Sequence, residues 1–280
     1  MSLLDSTSAM ISKNKILILL LFVSNSFSQE VKWMSIGDLH NWYSAAGCEI
    51  ETGRTGQVSD QQDGLRYPAF YRVQDNQAAK GLWLGATNFY DPVVNKDYEY
   101  KVIHAGPRHL DIENETMPVD MTMDGKYDHP NVFVDGDPAT NLQYLDDVDN
   151  VDPSLPSDRR INNTVQTSIG VQMKRTIYAF SHPKHQNYHI QEYVFTNNGC
   201  FDADCNTSYE QTLEGFQVYL QYRYAISREG MVYDGNWLPQ SAAWGHNTMN
   251  DVIGEHPNAP SINDQFYDNG EIMRALFSWQ

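Results

Sequence analysis

Along residues 216–226 (FQVYLQYRYAI) apolar and polar positions alternate. Phe216, Val218, Leu220, Tyr222, Tyr224 and Ile226 fall on one side, and Gln217, Gln221 and Arg223 on the other. Successive side chains of a strand point to opposite faces, so a period of two predicts a strand with one buried face. Residues 167–180 (TSIGVQMKRTIYAF) set Ile169, Val171 and Met173 against Gln172 and Lys174 in the same way. Residues 187–196 (NYHIQEYVFT) form the next candidate, closed by Asn197-Asn198-Gly199. Shorter candidates come earlier: 69–73, 81–88, 98–105 stopped by Gly106-Pro107, and 117–123 ending at Asp124-Gly125. Residues 131–134 run into Asp135-Gly136, a dipeptide suited to a two-residue hairpin turn. Residues 31–51 place Ile36, Leu39, Trp42 and Tyr43 near helical spacing, and the pattern leaves strand or one helical turn open there. Helical patterns of useful length are missing between the strands. The expected fold is therefore mainly β, an antiparallel β-sandwich with long loops.

The N-terminus follows a different logic. Lys13-Asn14-Lys15 precedes an unbroken apolar run, Ile16 to Val23, and small residues follow at Ser26 and Ser28. That order predicts a cleaved signal peptide over 1–28, with Met10 as the alternative start. The apolar run is too short to span a bilayer, and nothing after Val23 is long enough either. Residues 29–280 are expected to form one β-rich domain. The last residues, Phe277-Ser278-Trp279-Gln280, sit inside a pattern that looks set to continue, so a frame cut short at the C-terminus is expected.

Composition narrows the partners. A formal charge of -17 argues against nucleic acid, whose phosphates call for a basic footprint, and against an anionic membrane surface. Aromatic residues make up 12% of the chain, enough to supply a sizeable core. Cys200 and Cys205 lie in a turn-rich stretch, NNGCFDADCNTS, where a local disulfide is the preferred pairing. Two free thiols, or one bond to Cys48, are the alternatives.

Three stretches carry candidate chemistry. In residues 134–158 the carboxylates of Asp146, Asp147, Asp149 and Asp152 crowd together with no Lys or Arg among them before Arg159. Oxygen ligands at that density suit a calcium ion, although the turn glycine and closing glutamate of an EF-hand are missing. A solvated acidic loop is the plainer alternative. His182, His185 and His189 could ligate zinc or copper, but they enter a strand and no His-Glu-x-x-His is present. Tyr233, Trp237, Trp244 and His246, with nearby Asn236 and Asn247, could stack on and hydrogen-bond to a sugar; core packing accounts for single tryptophans as well. No Gly-x-Ser-x-Gly elbow or cysteine-nucleophile signature appears.

The ending SFSQ and the stretches GDLHNWYSAAGCE, EYVFTNNG, GLWLGATNF, DHPNVFVDGDPATN, LDDVDNVDPSLPSDR and WGHNTMND resemble large exported β-rich proteins of bacteria that use type IX secretion. The resemblance implies secretion or surface display, usually with a C-terminal sorting domain, and implies no enzymatic activity. Together these readings predict an exported surface or binding protein, calcium-stabilised at the acidic loop, whose partners are extracellular glycans or cell-surface components. A secreted carbohydrate-active enzyme, or its glycan-binding accessory domain, is the alternative.

Overall fold

The computed structural model describes residues 30–49, 65–70, 76–105, 115–129, 133–138 and 146–224, together with strands at 249–253, 267–268, 271–272 and 275–279. All of its regular structure is β, and among the described residues there is no helix to cross a membrane. The strands, in chain order, are β1 (Val31–Met34), β2 (Asn41–Ser44), β3 (Gln77–Asp91), β4 (Lys96–Ala105), β5 (Thr116–Gly125), β6 (Phe133–Val134), β7 (Asp137–Pro138) and β8 (Asn150–Val151). They continue as β9 (Arg159–Thr167), β10 (Val171–Ala179), β11 (His189–Asn197), β12 (Glu214–Tyr224), β13 (Met249–Ile253), β14 (Tyr267–Asp268), β15 (Glu271–Ile272) and β16 (Ala275–Trp279).

Two sheets form the sandwich. One has five strands in the order β11-β10-β9-β5-β8, and the other three in the order β12-β3-β4. Leu82, Leu84, Ala86, Phe89 and Ile103 of the smaller sheet pack against Val165, Val171 and Met173 of the larger, with Ile169 and Phe201 completing the cluster. The β1–β2 hairpin covers the rest of the same inner face: Met34, Tyr43 and Ala45 meet Met121, Met123, Ile161, Ile177 and Ala179. The segment left open between strand and helical turn is thus a hairpin, pairing Trp33 with Trp42. Burying apolar area on one face of each sheet is what holds these layers together.

Between the two halves of the core lies Arg175, 1% exposed. Its Nη2 donates to the Ser44 carbonyl (2.8 Å) and to Asn163 Oδ1 (3.1 Å), and its guanidinium stands 5.5 Å from the Tyr43 ring centre. A buried charge needs such partners to offset lost hydration.

Local sequence explains the connections. Asp135 (φ 54°) and Gly136 (φ 91°) form the expected two-residue turn between β6 and β7, since that turn needs positive φ at both positions. Asp91 Oδ1 accepts from the backbone N–H groups of Val93 (3.0 Å) and Val94 (3.3 Å), which folds the β3–β4 turn. The stretch 167–180, read as one run, is split: Thr167 Oγ1 donates to the Val171 carbonyl (2.7 Å) across a turn with Gly170 at φ 73°. The strand on the far side of that turn, β9, had no sequence expectation.

Candidate functional site

Among the described residues, no layer covers the outer face of the three-stranded sheet. Register places Tyr219, Trp83 and His104 side by side across β12, β3 and β4. The next row holds Gln217, Gly85 and Val102, and the row beyond it on β3 and β4 holds Thr87 and Tyr100. Alternation along β3 sends Leu82, Leu84 and Ala86 inward and therefore Gly81, Trp83, Gly85 and Thr87 outward. Trp83 is 39% exposed, Tyr219 58%, Tyr100 68% and Val102 53%. Several aromatic and apolar groups clustered on one open face call for an explanation that a single exposed leucine would not.

The glycines shape this face. A β-carbon at position 81 would stand 3.2 Å from Trp83 Nε1, so the indole leans along β3 over Gly81. On one side Trp83 stacks with His104, ring centres 5.1 Å apart and planes 27° from parallel. Glu115 holds that histidine from behind: Oε2 accepts from the His104 backbone N–H (3.1 Å) and lies 3.1 Å from ring Nδ1. Gln217 and Gln221 are exposed on β12 and flank Tyr219.

The acidic loop is used differently. Its end becomes β8, the parallel edge partner of β5, with Asn150 and Val151 beside Asp124 and Gly125. Asp149 exchanges two bonds with Met123: its N–H donates to the Met123 carbonyl (2.8 Å), and its Oδ2 accepts from the Met123 N–H (2.6 Å). The same carboxylate lies 2.8 Å from Lys32 Nζ, which also reaches Glu30 at 2.8 Å. Burial works against the charge on Lys32, but the bonds to Asp149 and Glu30 outweigh it and hold its pKa above the ordinary lysine value. Asp146 accepts from Ser35 Oγ, and its other oxygen lies 2.7 Å from His129 Nε2. Asp152 accepts from the N–H (2.9 Å) and hydroxyl (2.5 Å) of Ser154. Asp147 is exposed, with partial burial and nearby Asp128 raising its pKa. So Asp146, Asp149 and Asp152 each turn to a different protein donor, and among the described residues no three His, Cys, Asp or Glu side chains converge to hold a metal.

Beside the loop, Asp124 is the hub of a polar network on the outer face of the larger sheet. Its Oδ2 accepts from Arg160 (2.7 Å) and Asn162 (2.8 Å), and its Oδ1 from Asn150 (3.0 Å). Burial opposes its ionisation, yet these bonds prevail and keep its pKa below the usual carboxylate value.

His182 and His185 neighbour each other, ring centres 5.5 Å apart, whereas His189 on β11 points to the Tyr43 hydroxyl at 2.8 Å. The three histidines are not one ligand set. Tyr233, Trp237, Trp244 and His246 lie outside the described residues. Cys200 and Cys205 are joined in a disulfide, as preferred, and Cys48 is a buried free thiol whose pKa burial pushes up to about 11.

The aromatic face escaped sequence reading although its signal was present. In GLWLGATN, Trp83 falls with Gly81 and Gly85 on the side opposite Leu82 and Leu84, and in 216–226 Tyr219 is the bulky residue on the otherwise polar side. Searches of family models, curated proteins and solved structures return no match.

Proposed function

We propose that this chain is an exported binding module whose ligand-binding surface is the outer face of the three-stranded sheet, and that the ligand is an extracellular glycan. The observation that carries this is the exposed set Trp83, Tyr219 and Tyr100 beside Gln217, Gln221 and His104. The C–H faces of a sugar ring gain by covering an aromatic surface, and its hydroxyls need nearby donors and acceptors; this face offers both. Export is supported by the order of basic, apolar and small residues at 13–28 and by the Cys200–Cys205 disulfide, a bond that persists in oxidising compartments. For the acidic loop we propose a bracing role, in which Lys32, Met123, Ser35 and His129 satisfy the carboxylates assigned above to calcium.

The purified full chain and a Trp83→Ala variant, screened together on an immobilised glycan array, test the function. Retention of the native chain by a glycan class, with loss in the variant and an unchanged melting temperature, is the expected result. Retention that is equal in both would place the binding surface elsewhere.

A further inference from the structure

Three edges of the two sheets are guarded against further pairing, and one is not. The larger sheet ends at β11, with Glu192 near its middle, and at β8, which is two residues long. The smaller sheet ends at β4, which carries Lys96, Asp97, Glu99 and Lys101, and at β12. Charged side chains and short strands are how sheets keep foreign strands from pairing with a free edge. β12 has eleven residues, and from Gly215 to Tyr222 none is charged. Among the described residues its second edge pairs with nothing.

Both faces of β12 are open at the same place. Val218 and Leu220 pair with Leu84 and Leu82 and so lie on the core side, yet each is 40% exposed. Tyr219 is 58% exposed on the other face, between exposed Gln217 and Gln221. The larger sheet therefore stops short of this edge, and a further strand has room beside β12.

The sequence of the edge says which strand fits. Read in either direction from Tyr219, residues 216–222 give the same chemical classes: Gln217 answers Gln221, Val218 answers Leu220, and Phe216 answers Tyr222. A two-fold axis through Tyr219 turns a second β12 antiparallel to the first and sets each residue opposite its counterpart. Side chains directly opposite in an antiparallel pair share a face, so amide meets amide, aliphatic meets aliphatic and ring meets ring. The same register brings Arg223, the one base of β12, level with Gly215 of the second copy, one residue from Glu214, its one acid. A two-fold contact needs a surface complementary to itself, which this stretch provides and a foreign strand would not use. The chain charge of -17 opposes association at long range, but physiological salt screens charges more than about 8 Å apart, and the edge itself is uncharged over 215–222.

From these observations we infer that β12 pairs with β12 of a second copy of this chain, antiparallel about Tyr219, and joins the two three-stranded sheets into one. The row His104, Trp83, Tyr219 then runs on into Tyr219, Trp83 and His104 of the second copy, and the open face doubles in width.

Analytical ultracentrifugation of the full chain across a dilution series at physiological salt, together with cysteine cross-linking, tests this. A monomer–dimer equilibrium is expected. Cys48 is buried and Cys200 is bonded to Cys205, so an introduced thiol is the accessible one. Opposed residues of an antiparallel pair stand about 4.5–5.5 Å apart at Cα, within the span of a disulfide. Tyr219→Cys should therefore cross-link to itself on oxidation, and Gln217→Cys should cross-link to Gln221→Cys but not to itself. Tyr219→Lys or Tyr219→Glu alone sets like charges opposite each other and should weaken the dimer about tenfold or more; mixing the two variants should restore it. A monomer at every concentration would overturn the inference, and so would a dimer indifferent to the charge at 219 and to the cysteine register. Neither result bears on the glycan reading, which the array with Trp83→Ala decides separately.

Discussion

Lys32 Nζ and Asp149 Oδ2 meet at 2.8 Å, joining the first described strand of the chain to the acidic loop just before it becomes β8. The lysine side chain is 10% exposed and the carboxylate 42%, so water screens one end of the pair and not the other. Because Asp149 also receives the Met123 N–H, Asp149→Ala removes two bonds at once. Its expected cost is about 2 kcal/mol, measured by urea unfolding, since hydrogen bonds to charged groups contribute about that much. A double-mutant cycle with Lys32→Met should return a favourable coupling of about 1 kcal/mol. Zero coupling would mean that the ion pair adds nothing to the loop's other bonds, those of Asp146 to Ser35 and His129 and of Asp149 to Met123. Each protein repeated with calcium and with chelator shows whether a cation shares the task.

Arg175 sits where the two halves of the core meet, and its Nε and Nη1 have no hydrogen-bond partner among the described residues. A buried guanidinium so incompletely bonded is costly to hydrate less, while its aliphatic stem still fills space. Arg175→Met keeps most of that volume and removes the charge, so its stability should lie within about 1 kcal/mol of the native chain or above it. Arg175→Ala leaves a cavity and should cost about 3 kcal/mol. Equal losses in the two variants would show that the bonds to Ser44 and Asn163 outweigh packing.

His40 supplies a pH signature. Its ring is packed edge-on to Trp33, with Arg66 nearby, and burial first and the Arg66 charge second lower its pKa from 6.5 to about 4. The folded state therefore holds His40 neutral over a range in which the unfolded chain binds a proton. Its contribution to stability is fully present above pH 6.5 and is lost as pH falls from 6.5 toward 4. In His40→Asn, whose amide cannot titrate, melting temperature should decline less steeply across that window than in the native chain. Parallel slopes would show that other groups, chiefly carboxylates, govern the acid limb.

How far the sequence carried depended on what faced the core. β10 and β12 were legible because valine, isoleucine, methionine and tyrosine alternate with polar residues there. β9 was hidden: RRINNTVQT buries Arg159, Ile161, Asn163, Val165 and Thr167, so three of its five inward residues are polar. They are tolerated because partners wait for them, among them the Ala45 carbonyl and Asp120 carbonyl for Asn163 Nδ2 and the Tyr127 carbonyl for Arg159. The acidic loop showed the converse limit. Crowded carboxylates suggested a shared cation; which donors three of them meet, Ser35 and His129 for Asp146, Lys32 for Asp149 and the turn at Ser154 for Asp152, was not legible in the spacing.

By itself the sequence determined that the chain is β, where most strands run, that Asp135-Gly136 turns a hairpin, and that Cys200 was suited to pair with Cys205. These are local properties, set by alternation over a few residues, by the φ a turn demands, and by loops too short to offer many alternatives. Only the tertiary structure decided that Lys32 answers Asp149, that Arg175 lies between two core clusters, and that Trp83, Tyr219 and His104 share one open row. Those relations join strands far apart in the chain. They depend on which strands pair, in what register, and which face is left bare once the apolar faces have been buried against each other.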